Sequence, residues 1–215
     1  MLLRVAERPG VRVEIVSGRD PTTLGRWFCD LPIALRAEHG AWRRPVREKL
    51  WVSSVAVRMR HVRFAADALR RLTAPLGGWV ERKLTGAAWH YRGIAVPADA
   101  LEDVSQRLSA QLEPIKFTVL RGACVIEARS SGVDKGDAVH EARRTEPGAT
   151  VVAVGDDTTD EDMFRALPLG PSSAASLSKQ LGILVGDHGR KTAASHRFTH
   201  VADVRAFLAV LGGDD

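Results

Sequence analysis

Gly155-Asp156-Asp157-Thr158-Thr159-Asp160-Glu161-Asp162-Met163-Phe164 follows the largely apolar run Thr150-Val151-Val152-Ala153-Val154, and it places five carboxylates within seven positions. That much negative charge at the end of a buried strand is costly unless something cancels it. A divalent cation would do so, and hard oxygen donors favour Mg²⁺ over zinc or copper. The competing reading is a solvated acidic turn at a helix N-terminus, where Asp and Glu are favoured. Strand, glycine and acidic cluster in this order match the ligand sites at strand ends of open α/β sheets, which supports the metal reading.

Outward from this stretch, strand and helix alternate. Downstream, Asp160–Ala166 reads as a short helix, Leu181–Val185 as a strand and Val201–Leu211 as a closing amphipathic helix. Immediately upstream, Lys135–Arg144 has helical spacing. Near the start, Arg12–Val16 reads as a strand. Pro21–Phe28 follows as a helix, with Asp20 as N-cap and Pro21 at the first helical position, and Ile33–Ala37 is a second strand. Strand, helix, strand is the signature of a parallel sheet.

The middle of the chain breaks this alternation. Arg58–Leu72 and Pro97–Leu112 are helical. Trp79–Leu84 and Ala87–Arg92 are strand-like, and Ile115–Leu120 with Cys124–Ala128 predicts a hairpin. The expected architecture is therefore an α/β core from residues 1–45 and 123–215, interrupted by an inserted α+β cap at 46–122.

Composition narrows the function. The chain has 215 residues, 45% of them hydrophobic, with no apolar run near the roughly 18 residues a membrane span requires. Met1–Glu7 is too short and too charged for a signal peptide, so a cytoplasmic protein without membrane association is expected. Cys29 and Cys124 are the only cysteines and have no metal-ligand spacing, which predicts reduced thiols. The net charge of +5 raises the question of nucleic acid, but the basic residues are scattered and only 6% of residues are aromatic. An Arg-rich surface or an anionic small substrate explains that charge better.

Three further signals bear on chemistry. Ser17-Gly18-Arg19 sits just past the first strand, where a hydroxyl and free amides can hold a phosphate; an ordinary strand-ending turn is the alternative. Lys135, in Gly132-Val133-Asp134-Lys135-Gly136, opens a helix and can neutralise phosphate, although a solvated lysine is commoner there. Alternation along a strand puts Glu81 and Lys83 on one face and His90 and Arg92 on one face, as a sugar-binding surface or as a solvated outer face.

Taken in order, Val16-Ser17-Gly18-Arg19-Asp20, Ala37-Glu38-His39-Gly40, Glu81-x-Lys83, Ala88-Trp89-His90-Tyr91-Arg92, Val125-Ile126-Glu127, Gly132-Val133-Asp134-Lys135-Gly136 and the acidic stretch resemble the trehalose-6-phosphate phosphatases. These are a branch of the haloacid-dehalogenase-like phosphatases. The resemblance implies a Rossmann-like core with an inserted cap, and Mg²⁺-dependent hydrolysis of trehalose 6-phosphate to trehalose and phosphate. It implies catalytic roles for Ser17, Lys135 and Asp156, and metal-site roles for Asp156, Asp157 and Asp160. Substrate-binding roles fall to Arg19, His39, Glu81, Lys83, His90, Arg92 and Glu127.

The resembled family also uses an Asp-x-Asp-Gly-Thr motif after its first core strand, one aspartate attacking phosphorus and the other moving protons. No Asp-x-Asp pair follows an apolar strand in this sequence. The parallel sheet is accordingly expected without its first strand, and turnover by the chain as it stands is expected to be impaired. The alternative is a non-catalytic sugar-phosphate-binding or regulatory module paired with a trehalose-6-phosphate synthase.

Overall fold

A computed structural model of the chain describes residues 1–167, 180–186 and 189–213. They form two compact units, Met1–Ser54 with Asp134–Asp215, and Val55–Val133.

The second unit is built on amphipathic periodicity. α3 (Met59–Thr73) buries Val62, Ala65, Ala66 and Leu69, and α4 (Ala98–Leu112) buries Val104, Leu108 and Leu112. Both stripes pack on one face of an antiparallel sheet ordered β5 (Trp79–Arg82), β6 (Gly86–His90), β8 (Val125–Ser130), β7 (Phe117–Gly122). Trp89 is fully buried in this core and donates its indole N–H to the Gly77 carbonyl at 2.8 Å. The expected hairpin is β7–β8, and Cys124 at its turn has a φ of 59°. Because β8 is hydrogen-bonded to both β6 and β7, this unit extends to Val133 rather than ending at residue 122.

The first unit contains two separate sheets. One is ordered β1 (Glu14–Val16), β2 (Ala34–Ala37), β3 (Trp42–Arg44), β4 (Val52–Ser53), with β1 and β2 parallel and the rest antiparallel. α2 (Pro21–Trp27) connects β1 to β2. Asp20 caps it as its sequence predicts, its carboxylate accepting from the Thr23 N–H at 2.9 Å. The other sheet is wholly parallel, ordered β11 (His196–Phe198), β10 (Gln180–Val185), β9 (Val151–Gly155). α5 (Gly136–Thr145) and α6 (Glu161–Ala166) cover it through Val139, Met163 and Phe164. At the chain ends, α1 (Leu2–Glu7) packs on α7 (Val201–Gly212), and Arg8 Nη1 donates to the Leu211 carbonyl at 2.6 Å. Among the described residues no helix is long and apolar enough to cross a membrane.

A buried guanidinium ties the two sheets together. Arg36 of β2, 3% exposed, donates to Glu14 of β1 at 2.6 Å and to Glu141 of α5 at 2.7 Å. Burial alone would push the Glu141 carboxyl up, but Arg36, Arg43 and Arg12 outweigh it and hold the group below its ordinary value. A carboxyl whose pKa is depressed by folding adds stability above its ordinary value, and that stability is lost as pH falls through the depressed value. Chemical denaturation should therefore show stability declining as pH drops below 4.5, the ordinary value for this group. Arg36→Met strands two carboxylates, although Arg43 remains 2.5 Å from Glu141 and Arg12 3.5 Å from Glu14. The expected loss at neutral pH is therefore near the lower end for a broken buried pair, about 3 kcal/mol, with a flatter acid limb.

Candidate functional site

The acidic loop after β9 is organised by one side chain. Asp160 is 5% exposed, and its Oδ2 accepts from the backbone N–H groups of Asp156 and Asp157 at 2.8 and 2.9 Å. Its Oδ1 accepts from Lys135 Nζ at 2.7 Å, a pair whose side chains are only 8% and 7% exposed. Gly155 is required at the end of β9, because a Cβ there would lie 2.3 Å from Asp160 Cγ. Asp157 accepts from the Thr158 N–H at 2.5 Å. Among the described residues, the exposed Asp156 carboxylate has no hydrogen bond or ion pair.

A second clamp holds the loop from outside. Arg190 donates to the carbonyls of Asp156 and Asp157 at 3.2 and 3.1 Å and to Glu161 Oε1 at 3.2 Å. Glu161 also accepts from the Ala193 N–H at 2.8 Å. Burial pushes its carboxyl up, but the Ala193 amide, Thr192 and Arg190 outweigh it and hold the group below its ordinary value. Sequence reasoning assigned no role to Arg190 or Glu161. The one signal for Arg190 was its place soon after β10, at the same sheet end as the acidic loop.

Asp156, Asp157 and Asp160 thus share a loop but not a point. Among the described residues no three His, Cys, Asp or Glu side chains converge as a ligand set. Asp160 is engaged by Lys135 and two amides, and Asp157 by the turn it caps. Asp156 is the open carboxylate. One open carboxylate fits the oxygen-donor chemistry of Mg²⁺, which commonly takes one or two protein carboxylates and keeps several waters.

Beyond β1, Ser17 accepts from the Arg19 N–H through Oγ at 3.2 Å, and its carbonyl accepts from the His39 N–H at 2.9 Å. The His39 ring covers Gly18 so closely that a Cβ there would lie 2.6 Å from Nε2. Ser17 and His39 are therefore brought together. Arg19 turns to Trp27, its guanidinium 5.4 Å from the ring centroid. Val16, just before Ser17, packs on the cluster that holds Ala153, Met163 and Phe164, so the ends of β1 and β9 lie at the same end of this unit.

In the second unit, register sets a row. Glu81 faces Ala88, and Ala88 faces Glu127. Directly opposed residues share a sheet face. Lys83 Nζ lies 2.5 Å from Glu127 Oε1, and His90 Nε2 lies 2.8 Å from Glu81 Oε2. Trp79 stacks on His90 at 4.3 Å while remaining 59% exposed. Glu81, Lys83, His90 and Glu127 are therefore assembled around a small residue, with an exposed indole alongside. Arg92 lies exposed beyond the end of β6.

The trehalose-phosphatase family model matches residues 1–202. The chain belongs to the trehalose-phosphatase family. Within that family it is 34% identical, over 172 residues and 78% of its length, to a bifunctional trehalose-6-phosphate synthase/phosphatase of Thermoproteus tenax, and it spans 23% of that protein. Among solved structures, the C-terminal domain of the C. albicans trehalose-6-phosphate phosphatase superposes with a TM-score of 0.86 at 27% identity, covering 99% of this chain and 82% of that one. A haloacid dehalogenase-like hydrolase from Bacteroides thetaiotaomicron shares the fold, with a TM-score of 0.64 at 17% identity over 96% of this chain and 90% of that one.

Proposed function

We propose that this chain carries the phosphate-binding, metal-binding and sugar-reading parts of a trehalose-6-phosphate phosphatase. The observation that carries the reading is the Asp160 hub, which fixes a buried lysine and the acidic loop at the end of a parallel strand. Lys135 neutralises phosphate charge from a position Asp160 sets, and the Ser17 hydroxyl, which accepts from the Arg19 N–H, donates its proton to a phosphate oxygen. Asp156, with Asp157 beside it, would hold Mg²⁺, which would supply the charge neutralisation that lets a carboxylate approach a phosphate dianion. Glu81, Lys83 and Glu127 give hydrogen bonds to sugar hydroxyls, with His90, Arg92, Arg19 and His39 as further substrate contacts. A synthase is the candidate partner, since the Thermoproteus tenax relative is named for both activities.

Within the acidic loop Asp160, Glu161 and Asp157 are held by their own donors and Asp156 is assigned to the metal, so the attacking carboxylate is assigned to a group outside this loop. Phosphate release from trehalose 6-phosphate should be measured with Mg²⁺ and with EDTA. The chain alone is compared with a form given an Asp-x-Asp-Gly-Thr-bearing strand. Metal-dependent release by the second form, greater by about a thousandfold or more, is expected. No release by either form removes the proposal, and equal release by both means that a carboxylate of this chain attacks.

In the active form, Glu127→Gln removes the charge from an acceptor of Lys83. KM for trehalose 6-phosphate should rise about tenfold or more, with a smaller change in kcat. An unchanged KM would separate this row from sugar recognition.

A further inference from the structure

In the second unit α3 and α4, each 15 residues long, pack side by side on one face of the sheet. They turn back onto β5 and β7, which run in opposite directions, so the two helices are antiparallel. Their outer faces carry opposite charge. α3 holds the exposed Arg60, Arg63, Arg70 and Arg71 against one carboxylate, Asp67. α4, with Glu113 just after it, holds the exposed Asp99, Glu102, Asp103 and Glu113 against one guanidinium, Arg107. Exposed pairs within the unit cancel part of this charge: Arg70 with Asp67, Arg107 with Asp103, and Arg121 with Glu102. A surplus is left on both helices. Among the described residues Arg60, Arg63 and Arg71 have no ion pair, nor have Asp99 and Glu113. Phe64, 42% exposed, stands among the arginines, while α4 presents the small side chains of Ser109 and Ala110.

We infer that α3 and α4 form a self-complementary docking face whose occupant is a second copy of this chain. A two-fold axis along the helices lays each α3 on the partner's α4, antiparallel to it. The register that sets Asp67 against the partner's Gln106 also sets Arg60 against the partner's Glu113. It brings Phe64 onto the partner's Ser109, and Arg70 and Arg71 onto the partner's Asp103 and the partner's Glu102. A nucleic acid or an anionic membrane suits α3 alone. α4 lies one interhelical spacing away, about 8–10 Å, where its carboxylates are only partly screened and repel such a polyanion. The same face turned over offers carboxylates to α3 and guanidinium groups to α4 at once. Val80 and Trp89 pack toward the helices, so alternation puts Glu81, Ala88 and Glu127 on the other side of the sheet, which the dimer leaves uncovered. The contact is mostly charged and exposed, so the dimer is weak and salt-sensitive.

The test is sedimentation equilibrium of the full chain at up to about 300 µM, where weak association registers. A monomer–dimer equilibrium is expected in about 20 mM salt, with Kd raised about tenfold or more in about 0.5 M salt. One variant carries Arg60→Glu, Arg63→Glu and Arg71→Glu; the other carries Glu102→Lys, Asp103→Lys and Glu113→Lys. All six side chains are exposed, and circular dichroism checks that both variants are folded. Each variant alone sets like charges against like and should be monomeric. An equimolar mixture restores opposite charge at both contacts and should dimerise in low salt. Arg60→Glu or Glu113→Lys alone, each felt twice in a symmetric dimer, should raise Kd about fivefold or more, a readout that stands even if a triple substitution unfolds. The inference is overturned by an unmodified chain that stays monomeric, whether or not it binds RNA or anionic vesicles. A dimer that salt does not weaken, or that survives either triple substitution or both single ones unchanged, also overturns it. So does a mixture of the two folded variants that remains monomeric.

Discussion

Replacing Gly155 with alanine should collapse the acidic loop and, in the active form, lower phosphate release by about a hundredfold or more. The added Cβ would lie 2.3 Å from Asp160 Cγ and 2.4 Å from Oδ2, distances that no rotamer adjustment of a methyl can relieve. Gly155 has no positive φ, so alanine is acceptable to the backbone and the cost is purely steric. Asp160 must move, and in moving it releases the Asp156 and Asp157 amides and the Lys135 ammonium together. Each hydrogen bond to a charged group is worth about 1.5–3 kcal/mol, and partial relaxation keeps the sum from being fully additive. A net loss of about 3–4 kcal/mol by urea denaturation is expected. Gly132→Ala is the contrast. Gly132 has a φ of +82°, and a methyl added there would meet nothing within 4 Å, so only backbone strain of about 1 kcal/mol applies. Equal stability losses in the two variants would mean that Asp160 does not hold the loop.

The parts of this fold legible in the sequence were those that local physics dictates. The Asp20-Pro21 start of α2 appears where N-capping chemistry puts it, and α3 and α4 follow their apolar spacing to within a residue or two at each end. β9 and the loop after it were readable because an apolar run, a glycine and a cluster of carboxylates meet there. β3, β4 and β11 were not. Trp42–Arg44 contains two arginines, Val52–Ser53 is two residues long, and His196–Phe198 carries no alternation, so each exists because a neighbour offers an edge to pair with. The division of labour within the acidic loop was legible only in part. The resemblance made Asp156 the metal ligand and Asp160 a supporting ligand or orienter, and the contacts that make Asp160 the organiser and leave Asp156 open come from the fold. That distinction depends on Lys135, 25 positions away, and is reinforced by Arg190, 34 positions from Asp156. Long-range pairing also decides the sheets. Among the described residues the parallel pairs fall into two sheets, β1 with β2 and β9 with β10 and β11, a division that no local pattern announces.

Lys135→Met separates stability from chemistry. Removing the ammonium leaves the Asp160 carboxylate buried with two amide donors and no counter-charge, which for a broken buried pair costs about 3–5 kcal/mol. Phosphate release in the active form should fall by about a thousandfold, since a charge-neutralising group at the phosphate is lost as well. The decisive comparison is the double variant Lys135→Met with Asp160→Asn. The neutral carboxamide that Asp160→Asn introduces can still accept from the Asp156 and Asp157 N–H groups through its carbonyl, and it no longer needs a cation. Most of the stability should therefore return, to within about 1–2 kcal/mol of the unmodified chain, because replacing both members of a buried pair costs far less than stranding one. Activity should not return, because the loop is rebuilt without its positive charge. Activity recovering along with stability would show that Lys135 only balances Asp160. Recovery of neither would mean that Asp160 holds the loop through its charge rather than through its two accepted hydrogen bonds.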